Sequence, residues 1–393
     1  MTYGPGTLNV LFASALNSLA PLLIAQYWGV ENYGIFAGFW SLITIIGLAT
    51  LAIQTTVATR TSTSNSLANK GNSRRVNLDR FTLSLIIPSA LLIILSMIIA
   101  IFKPFTLLSS KWSLVVLSIV LFSSILSSIA FGRYIATKNL QKLYLIGLLL
   151  ALLKIVTIIL AARFSIPIGK LILAFVSEQL LTSLLLFRAT RNYGKIDKSF
   201  LHSSNLKPII LTTIVWSLFY ADVFLIRSLS TPTNSGLYAA ASSLTKLALL
   251  PLTLIMNRNY SQRNHEYRSL RSSEVSQNTW IILPTPIILI LIYLFRDSLI
   301  PRIFGDGFQS VGEYLPYSIL ANTPWFFLLL LISKLLADVR GWEIVFVFVL
   351  SLVYLTIVTQ ILNNWKDYTI LHFSLGLILF FGLEFRNKLM TGK

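Results

Sequence analysis

Four ionisable residues, Lys154, Glu178, Asp222 and Lys246, sit inside stretches that are otherwise strongly apolar. Each belongs to a run of roughly 20 hydrophobic residues, long enough to cross ~30 Å of hydrocarbon as a helix. A Lys or Asp at the centre of such a helix costs ~2.5–3.5 kcal/mol on insertion scales, so each needs a partner or a task. Lys154 and Glu178 fall midway along neighbouring runs, a placement that predicts mutual neutralisation. Asp222 and Lys246 also reach a common depth by the 1.5 Å rise per residue. Two readings stay open for them: a structural pair, or a Lys246 that shares a face with Ser242 and Thr245 and points at water and an anionic ligand. Arg227, near the outer end of its run, either does likewise or snorkels to the interface.

Polar stripes accompany these charges. Ser14, Asn17, Ser18 and Pro21 recur at i, i+3, i+4, i+7, as do Thr213, Trp216, Ser217 and Tyr220. Each set shares one helical face. Small polar residues promote close helix packing and interhelical hydrogen bonds; two matching stripes in equivalent helices also favour a shared hydrophilic cavity. Trp216, Tyr220, Trp40 and Trp325 would suit the faces of sugars. Soluble-enzyme and metal constellations are missing from the sequence: there is no cysteine, and the three histidines, His202, His265 and His372, are scattered. No HExxH, GxSxG or phosphate-binding glycine pattern occurs. Asp306 and Glu313 are too isolated to form a catalytic dyad.

The elements that must hold these groups are about twelve apolar runs. They lie near 7–29, 34–57, 81–102, 112–132, 143–164, 167–188, 208–229, 236–257, 279–295, 314–336, 342–362 and 367–385. Lipid offers the backbone no water, so such runs must satisfy their own hydrogen bonds as helices. Composition agrees: hydrophobic residues make up 55% and charged residues 12%, about half the ~25% of soluble proteins. Mean hydropathy is +0.75. No break between runs is long enough for a separate soluble domain, and no cleavable signal is visible after the first run.

The formal net charge is +18, and its distribution explains it. With loops assigned alternately to two sides, 22 of the 32 Lys and Arg fall on the side of the C-terminus and 8 on the other. That excess marks the first side as cytoplasmic and places both termini there. The basic surplus orients the chain and attracts anionic membrane lipids, so a nucleic-acid role is set aside.

The chain also repeats itself. Gly34, Phe36, Ala37, Ser41 and Leu42 match Gly236, Tyr238, Ala239, Ser243 and Leu244 at an offset of 202, and Ile86-Ile87-Pro88 matches Ile282-Leu283-Pro284 at 196. Two six-span halves follow, residues 1–190 and 208–393 joined by a cytoplasmic linker, 191–207. Six spans is an even number, so both halves enter the membrane the same way, a device of transporters whose site lies at the repeat interface.

Three segments carry a resemblance. Pro21-Leu22-Leu23-Ile24-Ala25 through Tyr33-Gly34 resembles the opening motif of polysaccharide-biosynthesis flippases, the Wzx-type transporters of the multidrug/oligosaccharidyl-lipid/polysaccharide (MOP) superfamily. Asp222-Val223-Phe224-Leu225-Ile226 with Gly236-Leu237-Tyr238-Ala239 is similar to that family's mid-chain motif, and Ile303-Phe304-Gly305-Asp306-Gly307-Phe308 to its segment after span 9. The basic lead-in usual before span 1 is nearly absent, and the two extra C-terminal spans of lipid II flippases are lacking.

The resemblance implies an all-α membrane protein of the bacterial cytoplasmic membrane. Its expected form is a MATE-like V-shaped bundle of two six-helix lobes, with spans 1, 2, 7 and 8 lining the cavity. It implies a non-enzymatic flippase moving an undecaprenyl-pyrophosphate-linked oligosaccharide to the outer leaflet by alternating access. On that reading Lys246, Arg227, Asp222, Asn17, Ser18, Trp216, Tyr220 and Ser242 line the cavity, with Lys154 and Glu178 as secondary intramembrane charges. No cofactor is called for; Asp222 either pairs with Lys246 or binds a coupling cation such as H+ or Na+. A polysaccharide polymerase and a chain-length regulator are the expected protein partners. The alternatives are a drug or organic-cation antiporter of the same superfamily and a membrane-embedded polymerase or glycosyltransferase.

Overall fold

The computed structural model describes residues 5–68, 113–136, 140–190, 203–247, 284–335, 339, 341–360 and 364–391. Its secondary structure there is helical throughout. In chain order the helices are α1 (Pro5–Ala68), α2 (Ser113–Ala136), α3 (Leu140–Arg163), α4 (Ile168–Ala189), α5 (Ser203–Leu229) and α6 (Pro232–Leu247). They continue as α7 (Pro284–Leu294), α8 (Arg296–Phe304), α9 (Val311–Leu335), α10 (Gly341–Gln360) and α11 (Trp365–Thr391). Among the described residues, seven helices are long and apolar enough to cross a membrane. The expected third span, 81–102, lies outside the described residues with its Ile86-Ile87-Pro88. So do linker residues 191–202 and the basic stretch 258–271.

The first two expected spans run into each other as α1. A single residue breaks it: Gly29 has φ 73° and ψ 178°, a left-handed conformation that glycine adopts without the Cβ penalty of other residues. Between α3 and α4 the turn is made by Ser165 at φ 51°, followed by Pro167 directly before α4. Trp28 Nε1 donates to the Ile166 carbonyl at 2.8 Å and so ties this turn to the end of the first span. The run expected at 279–295 gives way to a second helix. After Phe295, α8 carries Arg296, Asp297 and Arg302 and buries Ile300 and Phe304. Gly305 at φ 95° ends it, and a 3-10 turn at Asp306–Phe308 leads into α9.

Polarity is arranged inside out relative to a soluble domain. α3 exposes Leu145, Leu149, Leu152, Val156 and Leu160, and α10 exposes Trp342, Val345, Phe348, Val349 and Leu352. Such contiguous apolar faces suit acyl chains. Ser123, Ser183, Asp222, Asn322 and His372 are instead fully buried, where polar groups can pair across helices.

By internal packing the chain forms two compact units, Met1–Trp28 with Phe39–Leu206, and Gly29–Gly38 with Lys207–Lys393. In the first, α2 and α4 are stitched by Ser127–Ser183 at 2.6 Å and Gln179–Ser124 at 2.9 Å. In the second, residues 29–38 pack on α6, where Gly34 and Gly236 allow the backbones to touch. Also in the second unit, α9 and α11 approach closely at Gly376, where a Cβ would come within 2.9 Å of Pro324.

Candidate functional site

The second unit gathers its polar groups around one carboxylate. Asp222, two turns from the end of α5, is fully buried. Its Oδ1 accepts from Lys246 Nζ at 2.5 Å, and its Oδ2 accepts from Ser242 Oγ at 2.7 Å and Tyr238 Oη at 3.3 Å. Tyr238, Ser242 and Lys246 lie at i, i+4 and i+8, so one face of α6 presents three donors to one acid. Charge-assisted bonds of this kind are the strong ones, and they offset the desolvation of the acid. The Lys246 side chain is only 13% exposed, and its ammonium also sits 5.0 Å from the ring centres of Phe219 and Tyr220. Tyr220 stacks on Trp216 at 5.9 Å.

Of the two readings open for Asp222 and Lys246, the geometry is that of the pair. It brings together Asp222, Lys246, Ser242, Tyr220 and Trp216 from the sequence candidates. Arg227 stands apart, donating to the Ser230 carbonyl at 3.4 Å, with Glu31 as its electrostatic partner and Gly38 against its stem.

A second cluster in the same unit was not foreseen from sequence. Tyr354 of α10 donates to Tyr368 of α11 at 2.8 Å and meets His372 Nδ1 at 2.8 Å. The His372 ring stacks on Trp325 of α9 at 4.7 Å, and Trp325 Nε1 donates to the His372 carbonyl at 3.1 Å. All four side chains are buried, and Asp222 lies within electrostatic range of His372, Tyr354 and Tyr368. Thr245 joins α6 to α9 through Ser318 at 3.0 Å. The signal available in the sequence was the i, i+4 spacing of Tyr368 and His372 on one face of the last span.

The first unit corrects the expected Lys154–Glu178 pair. The ion pairs among the described residues are Lys246–Asp222, Arg296–Asp297 and Arg386–Glu343; Lys154 is in none of them. Its Nζ donates to Asn17 Oδ1 at 3.0 Å and lies 4.6 Å from the ring centre of Trp40. Trp40 in turn meets Phe175 edge to face at 6.3 Å. Glu178 acts on Lys154 only at longer range, and its Oε2 is buried with no hydrogen-bond partner. Ser18 lies in α1, and its side chain is outside the described set. Among the described residues no cluster of His, Asp and Glu could hold a metal.

No protein-family model matches the sequence, and no curated protein does. Among solved structures the fold is similar to the inward-facing conformation of a multidrug resistance MATE family transporter of the MOP superfamily. The TM-score is 0.58 over 97% of this chain and 96% of that one, at 12% sequence identity. An all-helical body with several membrane-length apolar helices, superimposable on that structure over nearly its whole length, has a MATE-like transporter fold.

Proposed function

We propose that this protein is a flippase for a polyprenyl-pyrophosphate-linked oligosaccharide, working in the bacterial cytoplasmic membrane by alternating access. The observation that carries this reading is that the described carboxylates at membrane depth do not outnumber the cations there. The fully buried carboxylates Asp222 and Glu343 are each clamped by a cation, Lys246 and Arg386. Lys154 is held by a neutral amide and an aromatic face, with Glu178 acting on it at longer range. Cations at membrane depth lower the cost of passing a diphosphate headgroup while its hydrocarbon tail stays in lipid. The aromatic faces of Trp216 and Tyr220 beside Lys246 supply surfaces on which sugar rings can stack.

A second reading is supported by the buried acid itself. The similar solved structure is named as a multidrug resistance transporter, and exchange of an organic cation against H+ or Na+ needs a carboxylate such as Asp222. One strain separates the two. Deletion of the gene should abolish surface glycan and trap lipid-linked oligosaccharide on the cytoplasmic leaflet. Intact glycan together with altered susceptibility to cationic drugs would replace the flippase reading by the antiporter.

A further inference from the structure

The two membrane-depth lysines are held differently. Lys246 has its carboxylate at 2.5 Å. Lys154 has Asn17 Oδ1 at 3.0 Å and the Trp40 face at 4.6 Å. An ammonium carries three N–H donors, and Asn17 takes one. Asn17 is itself exposed on α1 at the depth of a span. Among the described residues Lys154 has no carboxylate within ion-pair distance, and an ammonium held by one amide beside an aromatic ring keeps donors for an anion.

We infer that Lys154, positioned by Asn17 and Trp40, binds the diphosphate of the transported amphiphile. The identity of that anion rests on the flippase reading; the binding site rests on the geometry of Lys154 alone. Asn17 and Trp40 hold the ammonium in place. Glu178 is the opposing charge on α4, close enough to act on Lys154 and too far to pair with it. It weakens the bound anion and so favours release. Lys246 is a positioning residue on this view, holding Asp222 and α6 in register.

Full-length protein in nanodiscs of zwitterionic lipid tests this with two probes, undecaprenyl pyrophosphate and inorganic pyrophosphate. Lys154→Ala should weaken binding of the probe at least tenfold, Lys154→Arg should retain most of it, and Glu178→Gln should tighten it severalfold. A purely structural lysine would give no gain on Glu178→Gln, and that variant decides the matter if Lys154→Ala fails to fold. Wild-type affinity in Lys154→Ala, equal loss in a folded Lys154→Arg, or an unchanged or weaker Glu178→Gln overturns the assignment. Lys154-dependent binding of the lipid form alone assigns the diphosphate to a membrane carrier; equal binding of the inorganic ion assigns it to a soluble one. If a deletion strain keeps its glycan while Lys154-dependent binding persists, the site stands and the oligosaccharide cargo falls.

Discussion

Gly34 and Gly236 face each other with no room for a side chain on either. A Cβ on Gly236 would strike the Val30 carbonyl oxygen, and one on Gly34 would reach the Pro232 carbonyl and lie 2.8 Å from the Gly236 nitrogen. The obstacles are backbone atoms, which cannot rotate away.

Gly236→Ala should therefore destabilise the protein by ~1–3 kcal/mol, the usual cost of overpacking. Gly147 in α3 has open space around it, so Gly147→Ala should be neutral or gain ~0.5–1 kcal/mol from helix propensity. Melting of the two purified variants in the same detergent gives the comparison. Equal melting temperatures would mean that the contact yields without cost.

Removing one member of the Asp222–Lys246 pair should cost far more than removing both. Asp222→Ala leaves a nearly enclosed ammonium unpaired, an effect of about 3–5 kcal/mol. The Asp222→Leu, Lys246→Met double variant should recover most of that loss. If the single and double variants melt alike, the pair contributes nothing to folding. Transport separates the roles further: a folded but inactive double variant places a working charge at this position.

Tyr354→Phe removes the hydroxyl that joins Tyr368 to His372, leaving those two with a contact of 3.4 Å. The expected loss is ~1–3 kcal/mol, as for buried polar groups deprived of a partner. Tyr368→Phe should cost less, because the 2.8 Å bond from Tyr354 to His372 survives. A reversed order in the melts would show that Tyr368 is the central group.

Arg386→Met strips the cation from Glu343, a fully buried carboxylate at the start of α10. The penalty should be about 3–5 kcal/mol. Glu343→Gln in the same background should return part of it by neutralising the buried acid, read as a rise in melting temperature.

Much of the scaffold was legible in the sequence, because hydropathy and length act along a single helix. The membrane-length runs of α2, α3, α4, α5, α9, α10 and α11 coincide with apolar segments that alternating polar breaks already delimit. The break near Gly29 was legible as well, since Glu31-Asn32 interrupts the apolar runs 7–29 and 34–57; that helix continues on both sides of a single non-helical residue was not. Within the site, depth arithmetic correctly joined Asp222 to Lys246, whose helices are consecutive. It failed for Lys154, whose hydrogen-bond partner lies 137 residues away. Which neighbour a side chain faces depends on helix rotation, and an apolar helix without a polar face leaves that rotation unmarked. The same reason hid Tyr354, Tyr368 and His372, each unremarkable alone and significant only when α9, α10 and α11 converge.

The chain crosses from one unit into the other and returns within ten residues, Gly29–Gly38. Severing the polypeptide near position 206 would thus not yield two self-sufficient halves. A fragment starting at Lys207 would present α6 with a bare trough where Val30 and Gly34 belong, while the complementary fragment would carry a glycine-rich tip with nothing to dock on. Co-expressed, each would supply what the other lacks, so a split version of this protein should survive only as a couple.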